Sequence, residues 1–150
     1  MTDARPTEKE AVEAVREIVR RAGHELRNAL NGVSVNVEVV RSRSEREGPA
    51  KELTRFAEWA RLQVDTATML SEGLLAFVSA VMSAVEDGTL RTVSGHGAQT
   101  QMELMIYGDR APSIVSDIER LASAVNVSVE QHGQRVILNV LPEGKSHSKD

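Results

Sequence analysis

From Val12 to Val40 apolar residues recur every third or fourth position, with Val12, Val15, Val19, Ala22, Leu26, Ala29, Leu30, Val33, Val37 and Val40 on one stripe. The period predicts a helix that starts near Thr7, which has capping-box spacing to Glu10, and stops in the charged, Gly-terminated run 41–48. Pro49 suits the opening of a second helix, whose Leu53, Phe56, Ala60, Val64, Ala67, Leu74, Val78, Val81 and Val85 repeat until Asp87-Gly88. Two long helices joined by a short turn make an antiparallel hairpin, here assigned residues 1–88.

The pattern then changes. Residues 90–93 and 102–107 read as strands and 112–124 as a helix. Residues 125–130 and 135–141 read as a hairpin around 131–134. Residues 89–143 are thus a small α+β subdomain, too small to stand robustly alone, which leans on the helices. The polar stretch 144–150 is expected to be a disordered tail. The fold class expected is α+β: a long antiparallel helical hairpin followed by this subdomain.

Composition removes several function classes. With 18 basic against 22 acidic residues and a net charge of -4, the chain carries no electrostatic footprint for nucleic acid. No cysteine means no disulfide, no thiolate nucleophile and no thiolate metal site. The N-terminus lacks a signal-peptide core, and no apolar run approaches the roughly 20 uninterrupted residues of a membrane span, so a cytoplasmic protein without a membrane partner is expected.

One stretch of the first helix carries candidate chemistry: His24-Glu25-Leu26-Arg27-Asn28, continued by Ala29-Leu30-Asn31-Gly32. At 100° per residue His24 lies roughly 165° from the centre of the apolar stripe, hence in solvent. Around it on the helix surface stand Glu17, Arg20, Arg21, Arg27, Asn28 and Asn31, a mostly basic setting in which a phosphorylated imidazole would find cations. Neutral imidazole is a nucleophile near physiological pH, and Asn28, four residues on, shares its face and could orient a water. Val35 and Val39, below His24, and Leu62 and Met69 on the second helix depart from the main stripes. They read either as a partner-docking surface or as part of a wide buried stripe.

The run His24 to Gly32, within 21–40, resembles the H-box of the dimerisation and histidine-phosphotransfer region of sensor histidine kinases, in which a His-Glu-Leu-Arg-Asn/Thr-Pro-Leu run lies on the first of two long helices. The resemblance covers the hairpin. It implies a homodimer in which two hairpins pair as a dimeric four-helix bundle, His24 as the phosphoaccepting residue, Glu25 as the acidic neighbour assisting proton removal, and Asn28 as the residue orienting water for hydrolysis of a response regulator's aspartyl phosphate. It implies a receiver-domain partner that holds any Mg²⁺ itself, and a sensor kinase as a further partner.

Two departures narrow these implications. Ala29 stands where the family has a proline, so a straighter helix is expected. The N-box asparagines and the Asp-x-Gly-x-Gly run are missing, and Gly95-His-Gly97 is too weak to cradle phosphates, so this chain is expected to bind no ATP and no other cofactor. The segment 107–114 leading into a helix and hairpin resembles a shortened, degenerate ATP-binding domain; an independent α+β module fits equally well. His96, His132 and His147 have no metal-ligand spacing. The leading expectation is a two-component phosphorelay protein in which His24 accepts and passes a phosphoryl group, with Asn28 serving receiver dephosphorylation. Its rival is a non-catalytic dimeric scaffold or decoy.

Overall fold

The computed structural model describes residues 5–44, 50–94 and 100–141. Two long helices, α1 (Arg5–Ser44) and α2 (Ala50–Glu86), precede β1 (Arg91–Ser94), β2 (Thr100–Met105), α3 (Ala111–Ala124), β3 (Val127–His132) and β4 (Arg135–Val140). The class is α+β. Helix α1 starts ahead of Thr7, which therefore lies inside the first turn instead of capping it. Strand β2 ends before Tyr107, and β3 reaches His132, so that histidine lies on a strand and not in a turn. Gly133, with φ of 63°, supplies the left-handed backbone for the tight reversal into β4. His96, His147, the Gly95-His-Gly97 run and the tail 144–150 lie outside the described residues.

The hairpin is antiparallel, and two contacts fix its register. A Cβ at Gly32 would lie 3.1 Å from Gln63 Cδ, and Arg43 pairs with Glu52 near the tip. Val35 is therefore level with Trp59 and Ala60, and His24 with Ser71. Helix α1 is unbroken through Ala29, which is buried, and through Asn31-Gly32, which forms no turn. At the tip, the Arg43 guanidinium lies 5.2 Å from the Phe56 ring centroid, and Phe56 meets Trp59 edge-on at 5.4 Å.

The sheet is antiparallel throughout, in the order β1-β2-β4-β3. Period-2 alternation puts Met102, Leu104, Val136, Leu138 and Val140 on one buried face. That face, with Val115, Ile118 and Leu121 of α3, packs on Ala14, Ile18 and Ala22 of α1 and on Leu70, Phe77, Val81 and Ala84 of α2. The hairpin thus completes the subdomain's core, as its small size requires; Phe77 alone, 1% exposed, contributes roughly 1.5–3 kcal/mol of burial. At Gly73 α2 and α3 approach closely, since a Cβ there would stand 2.7 Å from Leu121 Cβ and 2.9 Å from the Asp117 carbonyl oxygen.

The apolar stripes are not wholly absorbed by this packing. Val12, Val19, Leu30 and Val37 of α1, expected in the core, are exposed, as are Val64, Val78 and Val85 of α2, together with Leu75 and Met82. The reason is rotational: on each helix the apolar stripe is turned partly away from the line of residues that packs on the other helix, so that one edge of it is covered and the other is not. Because the helices run in opposite senses, both offsets fall on the side of the hairpin opposite the α+β subdomain. On α2 that side exposes Ala57, Val64, Leu75, Val78, Met82 and Val85, and these with the half-buried Leu53, Ser71 and Leu74 and the buried Ala60 and Ala67 keep a heptad rhythm without a charge.

Candidate functional site

His24 stands exposed near the middle of α1 at one side of a cleft of about 340 Å³. Arg20, Arg21, His24 and Glu25 line it from α1, and Ala124, Val125 and Asn126 from the α3–β3 turn. Asn28 and Asn31 are exposed further along α1 towards the tip, as is Arg27. With Asn28 one turn beyond His24, an imidazole and a carboxamide share one accessible face. Glu25 is half-buried beside them.

The two arginines of the cleft differ in use. Arg20 Nε and Nη2 donate to Glu17 Oε2 and Oε1 at 3.0 and 2.8 Å, which holds an exposed guanidinium one turn before His24. Arg21, grouped with it from sequence, is buried and structural. Its Nη1 donates to the Val125 carbonyl at 3.1 Å and more weakly to that of Asn126 at 3.4 Å, Nη2 donates to the Leu141 carbonyl at 2.9 Å, and Nε to Glu17 at 2.8 Å. A fork of five donors suits this bridging of several carbonyls from one side chain. The cationic surface by His24 is therefore supplied chiefly by Arg20 and Arg27. Hydrogen bonding from Arg20, reinforced by Arg21 against a desolvation cost, lowers the Glu17 carboxyl from 4.5 to about 2.

The side of the hairpin that carries the α+β subdomain remains open beyond His24. Val39 lies five turns on from Arg21, which faces the subdomain, and so points the same way; Trp59 bears the same relation to Phe77. Val35 is 63% exposed, Leu62 49% and Trp59 46%, whereas Val39 is half-buried. Met69, grouped with them from sequence, is partly taken up by the core. Trp59 was not in the sequence-derived set, although its five-turn spacing from Phe77 was there to be read; Asn126 is linked to His24 by folding alone.

A second cleft, of about 430 Å³, lies between α3 and the β3–β4 turn, where Tyr107, Glu119, Gln131 and Gln134 are among its lining. It is larger than the His24 cleft but has no cationic side chain in its lining, and is poorly suited to phosphate. Among the described residues no group of His, Asp and Glu could hold a metal ion. The part of α2 from Glu52 to Glu86 is long and apolar enough to cross a membrane by length and composition, a property missed by counting uninterrupted apolar runs; one of its faces is buried against α1 and α3. Comparisons with protein-family models, curated proteins and solved structures find no match to this chain.

Proposed function

We propose that this chain is a cytoplasmic, dimeric histidine phosphotransfer protein of two-component signalling. In this reading His24 takes a phosphoryl group from a receiver-domain aspartate or a sensor kinase and passes it on. The observation that carries the reading is the exposed imidazole of His24 in a cleft beside the Glu17-held guanidinium of Arg20, with Asn28 one turn away on the same face.

The step is a simple exchange. The lone-pair nitrogen of neutral His24 attacks phosphorus, the acyl O–P bond breaks with its electron pair returning to the aspartate, and the proton on the other ring nitrogen stays on the ring. Glu25 supports that protonated nitrogen, Arg20 and Arg27 offset the phosphoryl charge, and Asn28 orients water when the aspartyl phosphate is hydrolysed instead. Mg²⁺ belongs to the receiver. The exposed Val35, Trp59 and Leu62, with the half-buried Val39 among them, seat the receiver beside His24, and the opposite apolar face seats a second copy, giving a four-helix bundle.

Incubation with a panel of phosphorylated receiver domains, followed by site-resolved mass spectrometry for acid-labile phosphate, tests this reading. Label on His24 that is lost in His24→Gln supports it; equal labelling of both proteins overturns it. The scaffold reading is favoured by the two open apolar faces, which can bind partners without chemistry. Receiver binding without any label on His24 would establish that alternative.

A further inference from the structure

The two edges of the sheet are built differently. At one edge β1 has only four residues and lies near α1. At the other, β3 runs for six residues and pairs with β4 in unbroken register from Val127 to His132, without a bulge. Its outer side has no strand partner among the described residues. Neither proline nor lysine guards this edge between Val127 and His132, and Ser128, Glu130, Gln131 and His132 are exposed. The outward backbone N–H and C=O groups of β3 are therefore a template for a further strand. Its carboxylate, Glu130, restricts the register at which such a strand can join.

We infer that the further strand is β3 of a second copy, joined antiparallel about a two-fold axis through Val129. Directly opposed residues of an antiparallel pair point to the same face, so an axis normal to the sheet passes through a residue when the two apolar faces are shared. Axes through Val129 and Glu130 engage most of the strand, whereas those nearer either end leave most of it unpaired. Through Glu130, two carboxylates oppose each other directly, which is destabilising. Through Val129, Ser128 faces Glu130 of the other copy, a hydroxyl that can donate to a carboxylate, and the symmetry repeats the pair. Val129 then meets its own copy on the face that Val127 and the core occupy. So short a ladder belongs to the weak class of contact, populated at roughly millimolar and not at micromolar concentration. It uses neither His24 nor the apolar face of the hairpin, and it does not rest on the phosphotransfer reading.

Because the chain has no cysteine, single substitutions report the register without interference. Opposed Cα atoms of an antiparallel pair lie about 4.5–5.5 Å apart, within disulfide range. Val129→Cys and Gln131→Cys, each leaving Glu130 in place, are oxidised with glutathione disulfide at close to millimolar protein concentration, separately and as an equal mixture. Non-reducing gels follow the disulfide-linked dimers, and mass spectrometry tells homodimers from heterodimers. Far-UV circular dichroism checks that both variants keep the fold.

Val129→Cys is expected to dimerise about tenfold faster than Gln131→Cys, because thiols brought together by pairing react at an effective concentration above the bulk one. Random collision gives the reverse order, since Val129 is half-buried and Gln131 exposed. In the mixture, Val129→Cys homodimers should dominate. A mixture dominated by heterodimers places the axis at Glu130 and overturns the register, and a Val129→Cys rate no higher than that of Gln131→Cys overturns the pairing itself. Adding Val19→Glu, on the far side of the hairpin, should leave the Val129→Cys rate unchanged. Loss of the cross-link in that background overturns β3 pairing as a contact of its own. None of these failures touches the phosphotransfer reading, which the labelling of His24 tests separately.

Discussion

Arg21 Nη1 donates to the carbonyl oxygen of Val125 at 3.1 Å, across 104 residues of sequence. With the donation of Nη2 to Leu141 at 2.9 Å, this side chain ties α1 to both the α3–β3 turn and the end of β4. A buried guanidinium so placed is stable because its charge is spread over several acceptors and one carboxylate.

Replacing Arg21 by Met keeps apolar bulk but leaves buried carbonyls without donors. Hydrogen bonds to a charged group contribute about 1.5–3 kcal/mol each and are not additive, so the expected loss is about 3 kcal/mol. Arg21→Lys, with its charge kept and the planar fork gone, falls between the two. Urea unfolding midpoints measure both changes. A midpoint for Arg21→Met equal to that of the wild type would show that the tie contributes nothing.

Two glycines on the long helices should respond oppositely to alanine. At Gly73 the new Cβ meets Leu121 Cβ and a backbone oxygen at 2.7 and 2.9 Å, so α3 must shift; overpacking of this kind costs about 1–3 kcal/mol, more than the roughly 1 kcal/mol that alanine adds to helix propensity. At Gly23 nothing lies within 4 Å, and the propensity gain of about 1 kcal/mol appears unopposed. Thermal melts of the two variants should move in opposite directions. A stabilised Gly73→Ala would refute the close crossing of α2 and α3.

Glu17 gives the fold an acid dependence whose sign follows from its carboxyl. Its folded-state value of about 2 lies below the ordinary 4.5, so the native state prefers the ionised form. The stabilisation is present above about 4.5 and disappears as pH falls towards 2. Glu17→Gln should flatten stability against pH across that window. With the side chain 33% exposed, added salt should shrink the wild-type dependence. A wild-type stability profile parallel to that of Glu17→Gln would contradict the pairing with Arg20.

Helix period and punctuation made the hairpin and the strand–helix–hairpin order legible in the sequence, since Gly88 and the spacing of apolar residues act locally. The exposure of His24 and its shared face with Asn28 were legible for the same reason. What stayed hidden depends on contacts between distant segments. Arg21 and Arg20 are neighbours of the same type, and only the proximity of Val125 and Leu141 makes one a buried tie and leaves the other at the surface. Asn126 likewise falls inside the strand 125–130 that the sequence suggests, and only the fold places it between α3 and β3, beside the cleft. The apolar stripe on α1 was read correctly as a stripe, but Val19 and Leu30 proved to face away from this chain's own core.

That outward stripe yields the last prediction. Val19 on α1 and Val78 on α2 are 38% and 40% exposed, on the side of the hairpin opposite the sheet. A glutamate at either position meets solvent in a single protomer, so far-UV circular dichroism should remain that of the wild type. In a four-helix bundle of two copies the same carboxylate is buried without a partner, at a cost of several kcal/mol, enough to dissociate a micromolar dimer. Sedimentation at micromolar concentration should give a dimer for the wild type and monomers for Val19→Glu and Val78→Glu. A monomeric wild type would remove the second copy as the occupant of this face. Flotation of the wild type with lipid vesicles, lost in Val78→Glu, would assign the face to a membrane surface instead.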